Sequence, residues 1–112
     1  MRVLIADDEP QMRGWLLRAM AVMGHQAEAV GDAETLLRRA VDFMPEAVLS
    51  DIGLPGCDGI TAGLCLRKTC PGCRIVLMSG DRGSAETARL SGFARVLDKP
   101  FSLEELASAL GA

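Results

Sequence analysis

The sequence predicts an α/β fold, a doubly wound (βα)5 domain whose parallel five-stranded sheet lies between layers of helices. Three observations predict it. Short apolar runs alternate with amphipathic helical stretches along the whole chain, and that alternation builds a parallel sheet covered on both faces. The runs break off at acids, a serine or a lysine. Polar side chains therefore collect at the carboxyl ends of strands, where folds of this class bind ligands. The 112 residues suffice for one core and leave no room for a second full-sized domain, so residues 1–112 are expected to form one unit.

The elements follow in order. Val3-Leu4-Ile5-Ala6 is a strand apolar on both faces, stopped by Asp7-Asp8-Glu9. Met12, Trp15, Leu16, Ala19, Met20 and Met23 recur at helical spacing, with Pro10 in the first turn and Gly24 as the stop. Gln26 to Val30 reads as a short outer strand. Asp32 caps a second helix with Ala33, Leu36, Leu37, Ala40, Val41 and Met44 on its apolar face, and Pro45 ends it. Ala47-Val48-Leu49-Ser50 is a third strand ending at Asp51. The loop Gly53-Leu54-Pro55-Gly56 precedes a helix from about Asp58 to Lys68. Arg74-Ile75-Val76-Leu77-Met78 is a fourth strand, stopped by Ser79-Gly80. Residues 82–91 read as a short helix rich in small residues, loosely packed and of low stability. Arg95-Val96-Leu97 is a fifth strand. Ser102, with Glu105 three residues on, is a capping box for a last helix whose apolar face is Leu103, Leu106, Ala107 and Leu110.

Composition narrows the function. Apolar residues make up 49% and charged residues 24%, which excludes global disorder. Aromatics are only 4% and the net charge is −3, so direct binding of nucleic acid is not expected. The first apolar run is too short for a signal peptide, and no segment approaches the roughly 20 apolar residues of a membrane helix. A cytoplasmic protein is expected, with Cys57, Cys65, Cys70 and Cys73 as reduced thiols.

Asp7 and Asp8 follow the first strand, Asp51 the third, Ser79 the fourth and Lys99 the fifth. In a doubly wound sheet all five meet at one edge. Three adjacent carboxylates repel one another unless a cation joins them. Hard oxygen ligands suit Mg²⁺, or another divalent cation such as Mn²⁺. An ammonium and a hydroxyl beside them suit phosphoryl oxygens, so the set reads as a phosphoryl-transfer site with a carboxylate nucleophile. Singly, each residue has a plain explanation: Asp8 as a helix cap, Ser79 as a turn former, Lys99 as a surface charge. Their joint placement at strand ends favours the site. A nucleotide- or flavin-binding domain would need a glycine-rich loop where Asp7-Asp8-Glu9-Pro10 stands.

Four motifs stand in order: Leu4-Ile5-Ala6-Asp7-Asp8-Glu9-Pro10, Leu49-Ser50-Asp51-Ile52-Gly53-Leu54-Pro55 with Asp58-Gly59, Leu77-Met78-Ser79-Gly80, and Leu97-Asp98-Lys99-Pro100-Phe101. Through them the chain resembles the receiver domain of two-component response regulators over about residues 1–110. The resemblance implies a flavodoxin-like three-layer sandwich with strand order 2-1-3-4-5. It implies that Asp51 is the phosphoacceptor. Asp7, Asp8, Asp51 and the backbone carbonyl of Gly53 would hold Mg²⁺. Lys99 and Ser79 would contact the phosphoryl group, and Pro100 would follow a cis peptide bond. The implied partners are a histidine kinase or phosphotransfer protein, and an output protein or effector domain outside this chain. Two copies would pair through the face formed by the fourth helix, fifth strand and fifth helix.

The sequence also departs from that pattern. Ser79 is expected to switch together with an aromatic residue three before the lysine, but Val96 stands there. Phe93, in the loop before the fifth strand, is a poor substitute. A receiver-like module that binds partners without phosphorylation is therefore the alternative. Cys70-Pro71-Gly72-Cys73 is a CxxC that precedes a strand and has no second pair, so it reads as incidental loop thiols rather than a redox or zinc site. His25 reads as a loop residue. Met1 leads straight into the first strand, which suits a stand-alone protein or an N-terminal domain.

Overall fold

The computed structural model describes residues 1–111. Strands and helices alternate: β1 (Arg2–Ala6), α1 (Pro10–Val22), β2 (Gln26–Val30), α2 (Ala33–Phe43), β3 (Ala47–Asp51), α3 (Gly59–Thr69), β4 (Arg74–Ser79), α4 (Arg82–Leu90), β5 (Val96–Asp98) and α5 (Leu103–Ala109). The strands form one parallel sheet in the order β2-β1-β3-β4-β5. This is the flavodoxin-like topology.

Strand periodicity sorts the core into two layers, because successive side chains point to opposite faces. Val3, Ile5, Ala47, Leu49, Val76 and Met78 pack with Leu16 and Met20 of α1 and Leu106 of α5. Leu4, Ala6 and Val48 meet Leu36 and Ala40 of α2 and Ala62 and Leu66 of α3. Leu77 turns to the same side and meets Ala88 of α4. The three central strands are buried on both faces, whereas β2 and β5 form the edges and are more open.

Local signals set the helix ends. Asp32, Asp58 and Asp81 accept the backbone N–H three residues on, at 2.8, 2.9 and 2.8 Å. Ser102 and Glu105 complete the capping box. Gly24 stops α1 at φ +81°, a conformation that favours glycine.

Two apolar faces differ from the sequence expectation. On α2, Phe43 is buried, while Val41 is 60% exposed and Met44 67% exposed. The helix ends at Phe43, and Met44 adopts the left-handed region at φ 51°, which turns its side chain off the helical stripe. On α5, Leu106 and Leu110 carry the packing and Leu103, in the first turn, is 41% exposed. The fifth strand is Val96–Asp98, shifted one residue along, although the Arg95 carbonyl still accepts the Leu77 N–H at 2.9 Å. No helix among the described residues is long and apolar enough to cross a membrane.

Candidate functional site

The carboxyl ends of β1, β3, β4 and β5 gather at one edge of the sheet. β1 and β3 pair Ala6 with Ser50, which sets the next residues, Asp7 and Asp51, side by side. This is the point where strand order reverses, since β2 lies on the far side of β1.

Asp7 is fully buried, and its backbone N–H bonds the Val30 carbonyl at 3.1 Å. One carboxylate oxygen accepts the Glu9 N–H at 2.9 Å, and the other accepts Lys99 Nζ at 2.9 Å. Both oxygens of this buried carboxyl group thus find a hydrogen-bond partner. Asp51 ends β3. Its Oδ2 accepts Lys99 Nζ at 3.1 Å and its Oδ1 accepts the Gly53 N–H at 3.2 Å. Asp8 is exposed beside them. The cap of α1 is Glu9, not Asp8, so Asp8 is not committed to the helix.

Lys99 is the cation of the cluster. Its backbone N–H bonds the Ser79 carbonyl at 2.7 Å, and the Lys99–Pro100 peptide bond is cis. Burial would push its ammonium down. The hydrogen bonds and charges of Asp7 and Asp51 outweigh that and hold it above the usual lysine range.

Ser79 is buried, and its hydroxyl engages the next turn instead of the acids. It donates to the Asp81 carbonyl and accepts the Asp81 N–H at 3.2 Å. Asp81 caps α4, and the Ser84 N–H holds its carboxyl below the usual range. Val96 is half-buried and packs against the cluster that contains Phe93. Phe93 lies in the loop before β5, as expected, and is 2% exposed. The Arg67 guanidinium covers its ring at 3.9 Å.

Three supporting residues were assigned no role by the sequence, although Gly59 stands in one of its motifs. Arg13, in the first turn of α1, donates to the Asp7 carbonyl at 2.8 Å. An arginine on the polar side of α1, just past the acidic pair, was the available signal. Gly59 lies against β3: a Cβ there would sit 2.5 Å from Ile52 Cα and 2.6 Å from the Asp51 carbonyl oxygen. Only glycine lets α3 begin this close to the Asp51 backbone. Gly63 leaves the space that the Phe93 ring fills, since a Cβ would lie 2.7 Å from its Cζ.

The donor set fits a divalent cation. Asp7, Asp8 and Asp51 each offer one oxygen within 4.8 Å of the others. Three carboxylates against one contacting ammonium leave two formal negative charges, and oxygen ligands of that charge suit Mg²⁺ or Mn²⁺.

With this geometry in view, the comparisons with known proteins agree on a family. The profile described as the response regulator receiver domain matches residues 3–111. The chain belongs to that family, the receiver domains of two-component signalling. It is 33% identical over 110 residues to the DNA-binding transcriptional regulator NtrC of Azospirillum brasilense, covering 96% of this chain and 23% of that protein. It is 36% identical over 118 residues to the transcriptional regulatory protein TcrA of Mycobacterium tuberculosis, covering 99% and 45%. The chain thus spans about a quarter to a half of the length of these relatives. A CheY-like receiver domain from Methanospirillum hungatei superposes with a TM-score of 0.90 at 20% identity, covering 98% of this chain and 90% of that one. At that identity the likeness speaks to the fold.

Proposed function

We propose that Asp51 accepts a phosphoryl group from the phosphohistidine of a histidine kinase or phosphotransfer protein, and that this changes how the domain meets an output partner. The observation that carries the proposal is the Lys99 ammonium shared between Asp7 and Asp51 at 2.9 and 3.1 Å, with Asp8 alongside.

The chemistry follows from the residues. The Asp51 carboxylate attacks phosphorus, an aspartyl phosphate forms, and the bond from phosphorus to the histidine nitrogen breaks. Asp7, Asp8, Asp51 and the Gly53 carbonyl would hold Mg²⁺ or Mn²⁺, which supplies the positive charge that lets two anions meet. Lys99 is already bonded to Asp51, so its ammonium lies beside any phosphoryl oxygen that arrives there. Ser79 reaches the new phosphoryl group only by giving up the Asp81 carbonyl. That exchange links the charge added at Asp51 to the first turn of α4.

Over residues 1–112 the chain acts as one receiver domain in the cytoplasm. A partner protein, or an effector domain outside this chain, carries the output, and this domain does not itself bind nucleic acid. Pairing of two copies uses the face of α4, β5 and α5. The test is incubation with Mg²⁺ and acetyl phosphate, read by intact mass. Wild type gains one phosphoryl group and Asp51→Asn gains none. An unmodified wild type, or equal labelling of the variant, overturns the proposal.

Val96 favours a second reading. A valine cannot swing a ring in and out, and the neighbouring Phe93 is held under Arg67. A phosphorylation-independent binding module fits those facts. Equal partner affinity before and after phosphorylation would establish it in place of the first.

A further inference from the structure

The Cys70-Pro71-Gly72-Cys73 segment gains a geometry that its sequence did not show. It joins α3 to β4 at the amino ends of the strands, the end of the sheet opposite Asp51. The Cys70 N–H bonds the Leu66 carbonyl at 2.7 Å and so caps α3. The Cys73 N–H bonds the Cys70 carbonyl at 3.0 Å. Such a hydrogen-bonded turn holds its first and fourth Cα atoms within about 7 Å. A disulfide spans about 4.4–6.8 Å between Cα atoms.

Both thiols are free and half-buried, and both line one groove of about 770 Å³ with Thr69, Met44 and Ala40. Neither has a strong partner. Cys70 Sγ lies 3.9 Å from the Ala40 carbonyl, and Cys73 Sγ lies 3.7 Å from the Arg74 carbonyl. Burial, with Cys70 next to it, pushes the Cys73 thiol up to about 11, so at neutral pH it stays protonated. Gly72 has nothing within 4 Å of where a Cβ would stand, so the turn faces open space on that side. The other two cysteines lie apart from this groove, Cys57 in the loop before α3 and Cys65 exposed on α3.

We propose that Cys70 and Cys73 are a reversible redox pair that closes to an intramolecular disulfide by exchange with a low-molecular-weight disulfide such as oxidised glutathione. Cys70 gives its proton to solvent and its sulfur attacks one glutathione sulfur. The glutathione S–S bond breaks, one glutathione leaves as a thiolate that takes up a proton from solvent, and a mixed disulfide remains on Cys70. Cys73 gives its proton to solvent and attacks the Cys70 sulfur, expelling the second glutathione. Two protein thiols are oxidised and one small disulfide is reduced. The closed form withdraws both sulfurs from the groove floor beside Ala40, while Asp51 and Lys99 stay as they are.

The folded protein is equilibrated in glutathione buffers of graded oxidised-to-reduced ratio, trapped with N-ethylmaleimide and cut with trypsin. Residues 69–74 leave as one peptide carrying both cysteines. The expected product is that peptide short of two hydrogens and free of maleimide, restored by dithiothreitol. In Cys70→Ser or Cys73→Ser the remaining thiol carries glutathione instead. In urea the ratio of closed to open pair falls by about tenfold or more, because the fold no longer holds the thiols near one another. Two maleimides on the oxidised peptide, a persistent glutathione adduct in wild type, or the same ratio in urea overturns the proposal. None of these outcomes depends on phosphorylation of Asp51.

Discussion

Helices α1 and α4 each follow a strand that delivers a side chain to the acidic edge, yet they are held very differently. α1 runs 13 residues and buries Leu16 and Met20 completely. α4 runs 9 residues and buries only Ala85 and Ala88, with Leu90 left 82% exposed. Burying a leucine or methionine stabilises by about 1.5–3 kcal/mol, and an alanine methyl by far less. The α1 half is therefore the better anchored, and α4, unlike the buried strand β4 that carries Ser79, is the looser half. If Ser79 exchanges the Asp81 carbonyl for a phosphoryl group, as proposed, the first turn of α4 is the part that yields.

The largest effect belongs to the anchored half. Leu16→Ala is expected to cost about 3 kcal/mol, against about 1 kcal/mol for Ala88→Gly in α4. Urea midpoints measure both, and equal costs would erase the contrast between the halves. Gly63→Ala is intermediate. Its new methyl meets the Phe93 ring, an overpacking penalty of about 2 kcal/mol. Fluorine NMR of fluorophenylalanine-labelled protein should show the Phe93 signal shifted, and an unmoved ring would mean that α3 yields instead. The smallest effect is Leu90→Ser, expected within about 0.5 kcal/mol. A larger loss would show α4 to be better anchored than its burial indicates.

Much of this arrangement is legible in the sequence. The order of the ten elements, the caps at Asp32 and Ser102 and the strand-end positions of Asp7, Asp51, Ser79 and Lys99 all follow from local pattern. The failures are physical too. Periodicity placed Val41 and Met44 on the core face of α2, but Val41 stays exposed within the helix, and Met44 lies past its end, where the chain turns. Phe93 lies in the loop where the sequence placed it, but its burial was not legible, because no local signal reveals that Gly63, 30 positions earlier, leaves a slot for its ring. The last turn of α5 carries no basic residue. Arg95, the residue before β5, meets the Ala109 carbonyl at 2.7 Å, and Arg74, at the start of β4, meets the Leu110 carbonyl.

What the sequence determined by itself is which segments form strands and helices, and which chemistry ends each strand. Those outcomes depend on residues a few positions apart, whose spacing and caps are local properties of the chain. Only the tertiary structure decided that Lys99 lies between Asp7 and Asp51, 92 and 48 residues away. Strand order is settled by packing across the whole sheet, and that order brings one ammonium and three carboxylates to a single edge.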